Sequence, residues 1–413
     1  MKIEEIKNKK VLIFGLGLLG GGLEAVKWFY KNGAILRITD LKKYKELKPT
    51  IDKLEKFIKK HTDKENKNRI KYILGKHRKE DIDWADIIYI NPGVSYKNEF
   101  VKYALSKNKE VVNDCYLFFK YAKGDIIAVT GTRGKTTTTT WIYELLKNAN
   151  LRKVINEKNI LLGGNQPDKS LFKILDKTNK NSVSAVELSS FQLEFYKNTK
   201  LHRTYIELHR TDTENSLKAP KIAIITCLLR DHLNRYENME EYAKAKANIF
   251  MNQTKDDYLI LNYDNNWTKF FLRLKPASQI YFVSLKPLPK NLRGAFIKNN
   301  YLIIRDKKEN KLLFLKNFKE IYGEHNLYNL LFAVLADYLY IKENKQILTR
   351  FIKNLNKLIF KLKTPKFRQE IIYKSKKLLI INDSAATTPD ATIAGIRRFY
   401  SNNKKEQKLI SVS

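Results

Sequence analysis

The stretch "DIIAVTGTRGKTTTTTWIYELLKNA" (Asp125–Ala149) reads as an apolar strand, a glycine loop and a helix in immediate succession. In that setting the backbone N–H groups from Gly131, Thr132, Arg133 and Gly134 onward can wrap phosphate oxygens, and the helix N-terminus adds the positive end of its dipole. Lys135 would then reach the β- and γ-phosphates, the Thr136 hydroxyl would coordinate Mg²⁺, and Thr137 would complete the loop. The spacing is not the strict Walker form, because Val129 stands where that pattern has glycine. Read without a ligand, the same turn would be only a helix cap. The strand-loop-helix context favours an ATP phosphate loop.

Working outward, the same strand-turn-helix unit recurs on both sides. "VLIF" (Val11–Phe14), "LEAVKWFYKNG" (Leu23–Gly33) and "ILRITD" (Ile35–Asp40) form one unit, followed by "DIIYINPG" (Asp86–Gly93) and "EVVNDCYLFFKYA" (Glu110–Ala122). Beyond the phosphate loop come strands in "SVSAVELSS" (Ser182–Ser190), "KIAIITCLL" (Lys221–Leu229) and "DYLILNYD" (Asp257–Asp264), then a helix in "YNLLFAVLADYLYI" (Tyr328–Ile341). A further start near Pro365 reads as two strands and a helix. Alternation of this kind predicts an α/β protein of parallel sheets covered by helices, and 413 residues predict two or three domains. The first turn, Gly15, Gly17 and Gly20 with Asp40 beyond them, taken alone fits a nicotinamide or flavin site.

A net charge of +36 raises nucleic acid as a partner. The lysines are scattered over every segment, and no RNP, zinc-finger or helix-turn-helix pattern accompanies them, so solvated surface is the better reading. Cys115 and Cys227 are the only cysteines, which excludes a disulfide framework and points to a reducing compartment. Glu24 and Lys27 interrupt the apolar start, and no segment has the uncharged length of a membrane span. The chain is therefore expected to be cytoplasmic, without nucleic acid or membrane as partner.

Three further side chains stand at informative places. Glu187 ends an apolar strand, where α/β folds bind ligands, and could hold a metal; a lone Glu is more often just surface. His232 sits in an Asp-His pair after another strand, and Lys246 lies inside a helix. Neither is privileged by composition, since a single His is commonly structural and lysine is abundant.

Taken together in their order, "GTRGKTT", "GGN" (Gly163–Asn165), "ELSSFQLE" (Glu187–Glu194), "DHLNRY" (Asp231–Tyr236), "YAKAK" (Tyr242–Lys246), "GEHNLYN" (Gly323–Asn329), "FRQE" (Phe367–Glu370) and "INDSAATTPDA" (Ile381–Ala391) resemble the Mur ligase family. These are the ATP-dependent amide-bond ligases of peptidoglycan precursor synthesis. The resemblance covers nearly the whole chain, and "LSSFQLE" with the Asn-Asp-Ser element points to the D-glutamate-adding branch. It implies three domains: a Rossmann-like domain at 1–121 for a UDP-linked substrate, a central P-loop ATPase domain with a mostly parallel sheet at 122–364, and an incomplete Rossmann-like C-terminal domain at 365–413.

The resemblance also implies roles. Lys135 and Thr136 would serve ATP and a first Mg²⁺, shared with Glu187, and His232 with Lys246 as its carbamate would serve a second. Asn326 and Asn329 would meet adenine, and Arg368 and Asp383 the nucleotide. Gly15, Gly17, Leu18, Leu19, Asp40, Gly93, Asn165 and Ser189 would bind UDP-N-acetylmuramoyl-L-alanine, to which D-glutamate is joined through an acyl phosphate by a monomeric enzyme. The glycine turn is then a substrate handle. Other Mur ligases, folylpolyglutamate synthetases and, further off, a nicotinamide or flavin oxidoreductase remain alternatives.

The pattern departs from the family at several positions. Ala385 replaces a Lys, Phe367 a His and Tyr116 an acidic residue, and Tyr196–Pro220 is longer and more polar, as for a surface loop. Pro365–Ser413 is short for a domain that must bury its own core, and the end "KLISVS" stops where the family continues into much of its D-glutamate pocket. Impaired ligation is the expectation from that ending.

Overall fold

The computed structural model describes residues 3–61, 69–148, 159–165, 169–196, 217–375, 378–386 and 389–400. Most of the polar stretch expected as a surface loop (197–216), Thr387 and Thr388 of the Asn-Asp-Ser element, and the terminal "KLISVS" lie outside the described residues.

After a short 3-10 helix at Ile3–Ile6, ten elements alternate strand and helix: β1 Lys10–Phe14, α1 Gly21–Lys31, β2 Ile35–Asp40, α2 Tyr44–His61, β3 Ile70–Leu74, α3 Lys79–Trp84, β4 Ile87–Ile90, α4 Glu99–Ser106, β5 Glu110–Val112 and α5 Asp114–Tyr121. Their strands form one parallel sheet in the order β3-β2-β1-β4-β5. The sequence dictates this. β4 is an unbroken buried run, and β1 is buried from Val11 to Phe14, the signature of strands covered on both faces rather than one.

Then follow β6 Asp125–Thr130, α6 Lys135–Asn148, β7 Ile160–Gly164, α7 Leu171–Leu175, β8 Val183–Glu187, α8 Ser190–Leu193, β9 Ile222–Ile225 and α9 Met239–Ala247. After them come β10 Tyr258–Asn262, α10 Thr268–Arg273, β11 Gln279–Ser284, β12 Gly294–Lys298, β13 Tyr301–Arg305 and β14 Glu309–Phe314. The chain continues through α11 Lys316–Tyr322, α12 Asn326–Ile341, α13 Lys345–Ile359, β15 Glu370–Lys374, β16 Leu379–Asn382 and α14 Pro389–Tyr400.

Two compact units emerge. One comprises Met1–Thr130, Leu161–Lys221 and Arg230–Thr254; the other comprises Gly131–Ile160, Ile222–Leu229 and Lys255–Ser413. The boundaries expected at 121 and 364 both fall inside units. In the first unit β6 and β8 pair in parallel. In the second, β9 to β12 are parallel neighbours, and β13 and β14 extend that sheet antiparallel. The expectation of a mostly parallel sheet holds, but the β12–β13 hairpin was not anticipated. Its turn is Asn299-Asn300, with φ of 51° and 60°, and Lys298 faces Tyr301 across it. Asparagine tolerates this left-handed backbone, so the pair suits a two-residue hairpin.

The last segment is a two-stranded antiparallel hairpin, β15 with β16, and the α14 helix. Arg398 of α14 donates from Nε and Nη2 to the Ile321 carbonyl at 3.1 and 2.8 Å, and from Nη1 to Gln369 Oε1 at 3.1 Å.

The core of the second unit holds one unusual group. α12 is buried along nearly its whole length, and Asp337 within it is fully buried, with neither carboxylate oxygen hydrogen-bonded among the described residues. Burial drives its pKa well above the ordinary carboxylate value, so the native state holds a proton that the unfolded chain releases. Ionisation of the unfolded state therefore weakens folding by about 1.4 kcal/mol per pH unit between the unfolded and folded pKa values. Asp337→Asn removes this linkage. The melting temperature of the Asp337→Asn variant should gain on that of the unsubstituted protein as pH rises from 5 to 8; parallel melting curves across that range would contradict the assignment.

Candidate active site

In the second unit the loop Gly131–Gly134 precedes α6 and is stapled to the segment after β9. Thr132 N–H donates to the Cys227 carbonyl at 2.8 Å, Leu229 N–H to Thr132 Oγ1 at 3.0 Å, and Thr226 Oγ1 to the Arg133 carbonyl at 2.5 Å. Gly131 and Gly134 have φ of 147° and 81°, where a side chain is strained, and a Cβ on either would strike a neighbour: Thr226 Oγ1 at Gly131, Asn329 Oδ1 at Gly134. Lys135 Nζ arches back over the loop and donates to the Gly131 and Thr132 carbonyls, both at 2.9 Å. The loop is thus held by these bonds, with its lysine folded against the backbone that would cradle phosphate oxygens.

Asn326 and Asn329 form the buttress. Thr138 Oγ1 donates to Asn329 Oδ1 at 3.2 Å, Asn329 Nδ2 to Asn326 Oδ1 at 2.8 Å, and Asn326 Nδ2 to the Tyr322 carbonyl at 2.7 Å. Both asparagines are buried. The structure thus gives these amides, expected at adenine, a buried chain of hydrogen bonds that backs the phosphate loop. Beside them His325 is pushed down to about 4 by burial and then by the Arg398 charge, so it is neutral at physiological pH. Arg368 is exposed, while Asp383 Oδ1 accepts from Gln369 N–H at 3.0 Å and its carboxyl pKa is raised by burial.

In the first unit β8 ends on Glu187, which is buried. Asn165 N–H donates to the Glu187 carbonyl at 3.0 Å, and Gly164, at φ 133°, lies so close to the Glu187 backbone that no Cβ fits. The second glycine of "GGN" is therefore a steric requirement of that approach. Ser189 caps α8: its Oγ accepts from Gln192 N–H at 3.2 Å while Gln192 Oε1 accepts from Ser189 N–H at 3.0 Å, a capping box. Gln192 Nε2 donates to Asp114 Oδ2 at 2.7 Å, and burial lifts the Asp114 carboxyl to about 6 against that bond.

His232 has a left-handed backbone, φ 56°, and its ring lies 4.8 Å from the Phe191 ring and 5.8 Å from that of Tyr242. Lys246 is buried on α9 with Nζ 4.6 Å from the Tyr242 centroid. Tyr242 thus brings His232 and Lys246 to one place, although fourteen positions separate them in sequence. Among the described residues no three His, Cys, Asp or Glu side chains form a metal cage by themselves. A buried carboxylate and a threonine hydroxyl are oxygen donors that suit Mg²⁺, an imidazole nitrogen is a softer donor, and a lysine carbamate would add an anionic oxygen where an ammonium could not ligate.

The glycine turn after β1 is held by its surroundings. Gly15 N–H donates to the Thr39 carbonyl and Gly17 N–H to Asp40 Oδ2, both at 2.9 Å; Asn91 Nδ2 donates to the Gly15 carbonyl at 3.2 Å. Asp40, which also accepts from Lys42 N–H at 2.9 Å, shapes the turn directly, and the Gly17 amide is committed to it. Leu18 and Leu19 project at 51% and 84% exposure. Gly93 N–H donates to Asn91 Oδ1 at 3.3 Å, which places the Pro-Gly turn beside the glycine turn.

Residues 129–336 match the Mur ligase middle domain, and residues 9–113 match the Mur ligase MurD-like N-terminal domain. The chain belongs to the Mur ligase family. It is 32% identical over 397 residues to UDP-N-acetylmuramoylalanine--D-glutamate ligase of Clostridioides difficile, covering 96% of this chain and 76% of that protein. The protein of the same name from Alkaliphilus metalliredigens is 31% identical over 394 residues, covering 95% and 75%. Among solved structures, UDP-N-acetylmuramate-alanine ligase MurC from Thermotoga maritima aligns with a TM-score of 0.51 at 20% identity, over 97% of this chain and 79% of that one. That likeness bears on the fold. As a Mur ligase, the chain is an ATP-dependent amide-bond-forming enzyme.

Arg235 and Glu194 escaped the sequence reading. They form a buried bidentate pair, with Nη2 to Oε2 at 2.6 Å and Nε to Oε1 at 2.8 Å. An arginine and a glutamate carry no signal in a chain with 79 basic and 43 acidic residues; their motifs, "DHLNRY" and "ELSSFQLE", did.

The glycine geometry of this Mur ligase yields a direct expectation. Gly134→Ala should weaken ADP binding about 10- to 100-fold, from backbone strain and displacement of Asn329. Isothermal titration with ADP checks this, and unchanged affinity would contradict the steric reading.

Proposed function

We propose that this chain joins D-glutamate to UDP-N-acetylmuramoyl-L-alanine, converting ATP to ADP and phosphate, in peptidoglycan precursor synthesis. The observation that carries the substrate assignment is the 30–32% identity, over 95–98% of this chain, to proteins named UDP-N-acetylmuramoylalanine--D-glutamate ligase.

A carboxylate is a poor electrophile. One of its oxygens attacks the γ-phosphorus of ATP, ADP leaves, and the acyl phosphate that results carries a good leaving group. The amine of D-glutamate then adds to the carbonyl carbon and loses a proton, and phosphate departs as the amide forms. Lys135 neutralises charge that spreads over the transferring phosphoryl oxygens, and the N–H groups of Gly131–Thr137, apart from that of Thr132 on the Cys227 carbonyl, hold the phosphates. Bound Mg²⁺ supplies further charge neutralisation at those oxygens. We assign Thr136 and Glu187 as oxygen ligands for Mg²⁺, and His232 and Lys246, as its carbamate, as ligands for a second ion. Gly15, Gly17, Leu18, Leu19, Asp40, Gly93, Asn165 and Ser189 are assigned to the UDP-linked substrate, and Asn326, Asn329, Arg368 and Asp383 to the nucleotide.

The three-domain division at 121 and 364 is part of the same reading. So is a cytoplasmic monomer that engages neither nucleic acid nor membrane, supported by the scattered lysines. Among the described residues no helix is long and apolar enough to cross a membrane.

Phosphate release in the presence of ATP, Mg²⁺ and UDP-N-acetylmuramoyl-L-alanine, assayed against a panel of amino acids, tests the assignment. D-Glutamate should be the acceptor that supports turnover, and Lys135→Ala should lower kcat by about 100-fold or more. Turnover with another amino acid in preference, or release independent of any acceptor, would overturn it.

A further inference from the structure

The short segment Gly93–Lys97 is fastened at both ends to the stretch that carries His232 and Lys246, all within the first unit. At one end Arg235 donates from Nη1 to the Gly93 carbonyl and from Nη2 to the Val94 carbonyl, both at 3.0 Å. The same guanidinium grips Glu194, to which Tyr236 OH also donates at 2.7 Å, and lies over the Phe191 ring, 4.0 Å from its centroid. At the other end Tyr96 OH donates to Glu241, and Lys97 Nζ to Glu237 Oε1 at 2.8 Å and Glu241 Oε2 at 3.1 Å. Glu241 belongs to the first turn of α9, the helix that carries Lys246.

The Arg235 side chain is 8% exposed and Glu194 2%, so this is a buried pair that the catalytic reading does not use. Buried pairs of this kind add little to net stability over an apolar replacement, whereas a planar guanidinium fixes several acceptors in one geometry. Here those acceptors are two carbonyls of the Pro-Gly turn and one carboxylate beside α8. From Gly93 the bonds run on through Asn91 to Gly15, and from the guanidinium through Phe191 to the His232 ring.

We infer that Arg235 is a positioning residue: it holds the Gly93–Val94 turn, and through Asn91 the glycine turn at Gly15–Gly20, in fixed register with Phe191 and His232. The nucleotide-sugar is then gripped and its carboxylate presented by one rigid assembly. This rests on the reading of the glycine turn as the UDP-substrate handle.

Two variants of the full chain test it. Arg235→Lys keeps the charge but loses the fork, and the paired change Arg235→Met with Glu194→Met removes both charges without stranding either in the interior. Isothermal titration with UDP-N-acetylmuramoyl-L-alanine should show Kd at least tenfold higher in both variants, with ADP affinity within twofold of the unsubstituted chain. Steady-state rates should show a raised KM for the UDP-sugar with the KM for ATP unchanged. UDP-sugar affinity within twofold of the unsubstituted chain in the variants would overturn the inference alone, as would a parallel loss of ADP and UDP-sugar binding. Absence of UDP-sugar binding in the unsubstituted chain would overturn the reading of the glycine turn itself.

Discussion

Each unit depends on places where the chain passes closer than a Cβ permits. Gly164 lies against the backbone of Glu187, and Gly131 and Gly134 lie against Thr226 and Asn329. Gly164 and Gly131 sit where a strand gives way to a loop and Gly134 where the loop opens α6, so glycine at each decides where a functional group emerges. Glycine carries an entropic penalty on folding, which is tolerated where no other residue can adopt the backbone or fit the space. The phosphate loop is held in shape by backbone and hydroxyl bonds to Thr226–Leu229. Preorganisation of that kind lets charge stabilisation act without rearrangement during the reaction.

Polar groups within each unit are arranged to be used by structure first. Asp40 fixes the Gly17 amide, Ser189 and Gln192 close a capping box, and Asn326 and Asn329 complete a buried hydrogen-bond chain behind the phosphate loop. A buried amide or carboxyl without such partners would be costly, and bonded to its neighbours it instead orients them. Roles assigned to these side chains from family likeness and roles visible in their hydrogen bonds are therefore distinct, and both bear on what a substitution at each would do. His232 and Lys246 differ in kind. They lie against aromatic rings, Phe191 and Tyr242, which shape the place around them, and His232 Nε2 also lies 3.6 Å from Asp231 Oδ2.

Much of this was legible in the chain. Strands β1, β4, β6 and β8 announce themselves as apolar runs, and the phosphate loop is a local pattern in which each residue type has a physical reason. The order of motifs specified the family, which the matches at 9–113 and 129–336 bear out. What sequence could not supply is long-range pairing. Nothing local marks Asn329 as a partner of Thr138, 191 positions away, or Arg235 as the donor to Gly93, 142 positions away. The β12–β13 hairpin was legible in principle, since Asn299-Asn300 is a turn signal, but the lysine- and asparagine-rich background hid it.

The central claim is that this chain activates a carboxylate by phosphorylating it. The most direct measurement is the fate of ¹⁸O placed in the carboxylate of UDP-N-acetylmuramoyl-L-alanine, followed by mass spectrometry of the inorganic phosphate released during turnover with ATP and D-glutamate. An acyl phosphate requires one carboxylate oxygen to leave with the phosphoryl group, so the phosphate should carry a single ¹⁸O. Phosphate free of the label, with its new oxygen drawn from water, would contradict the account.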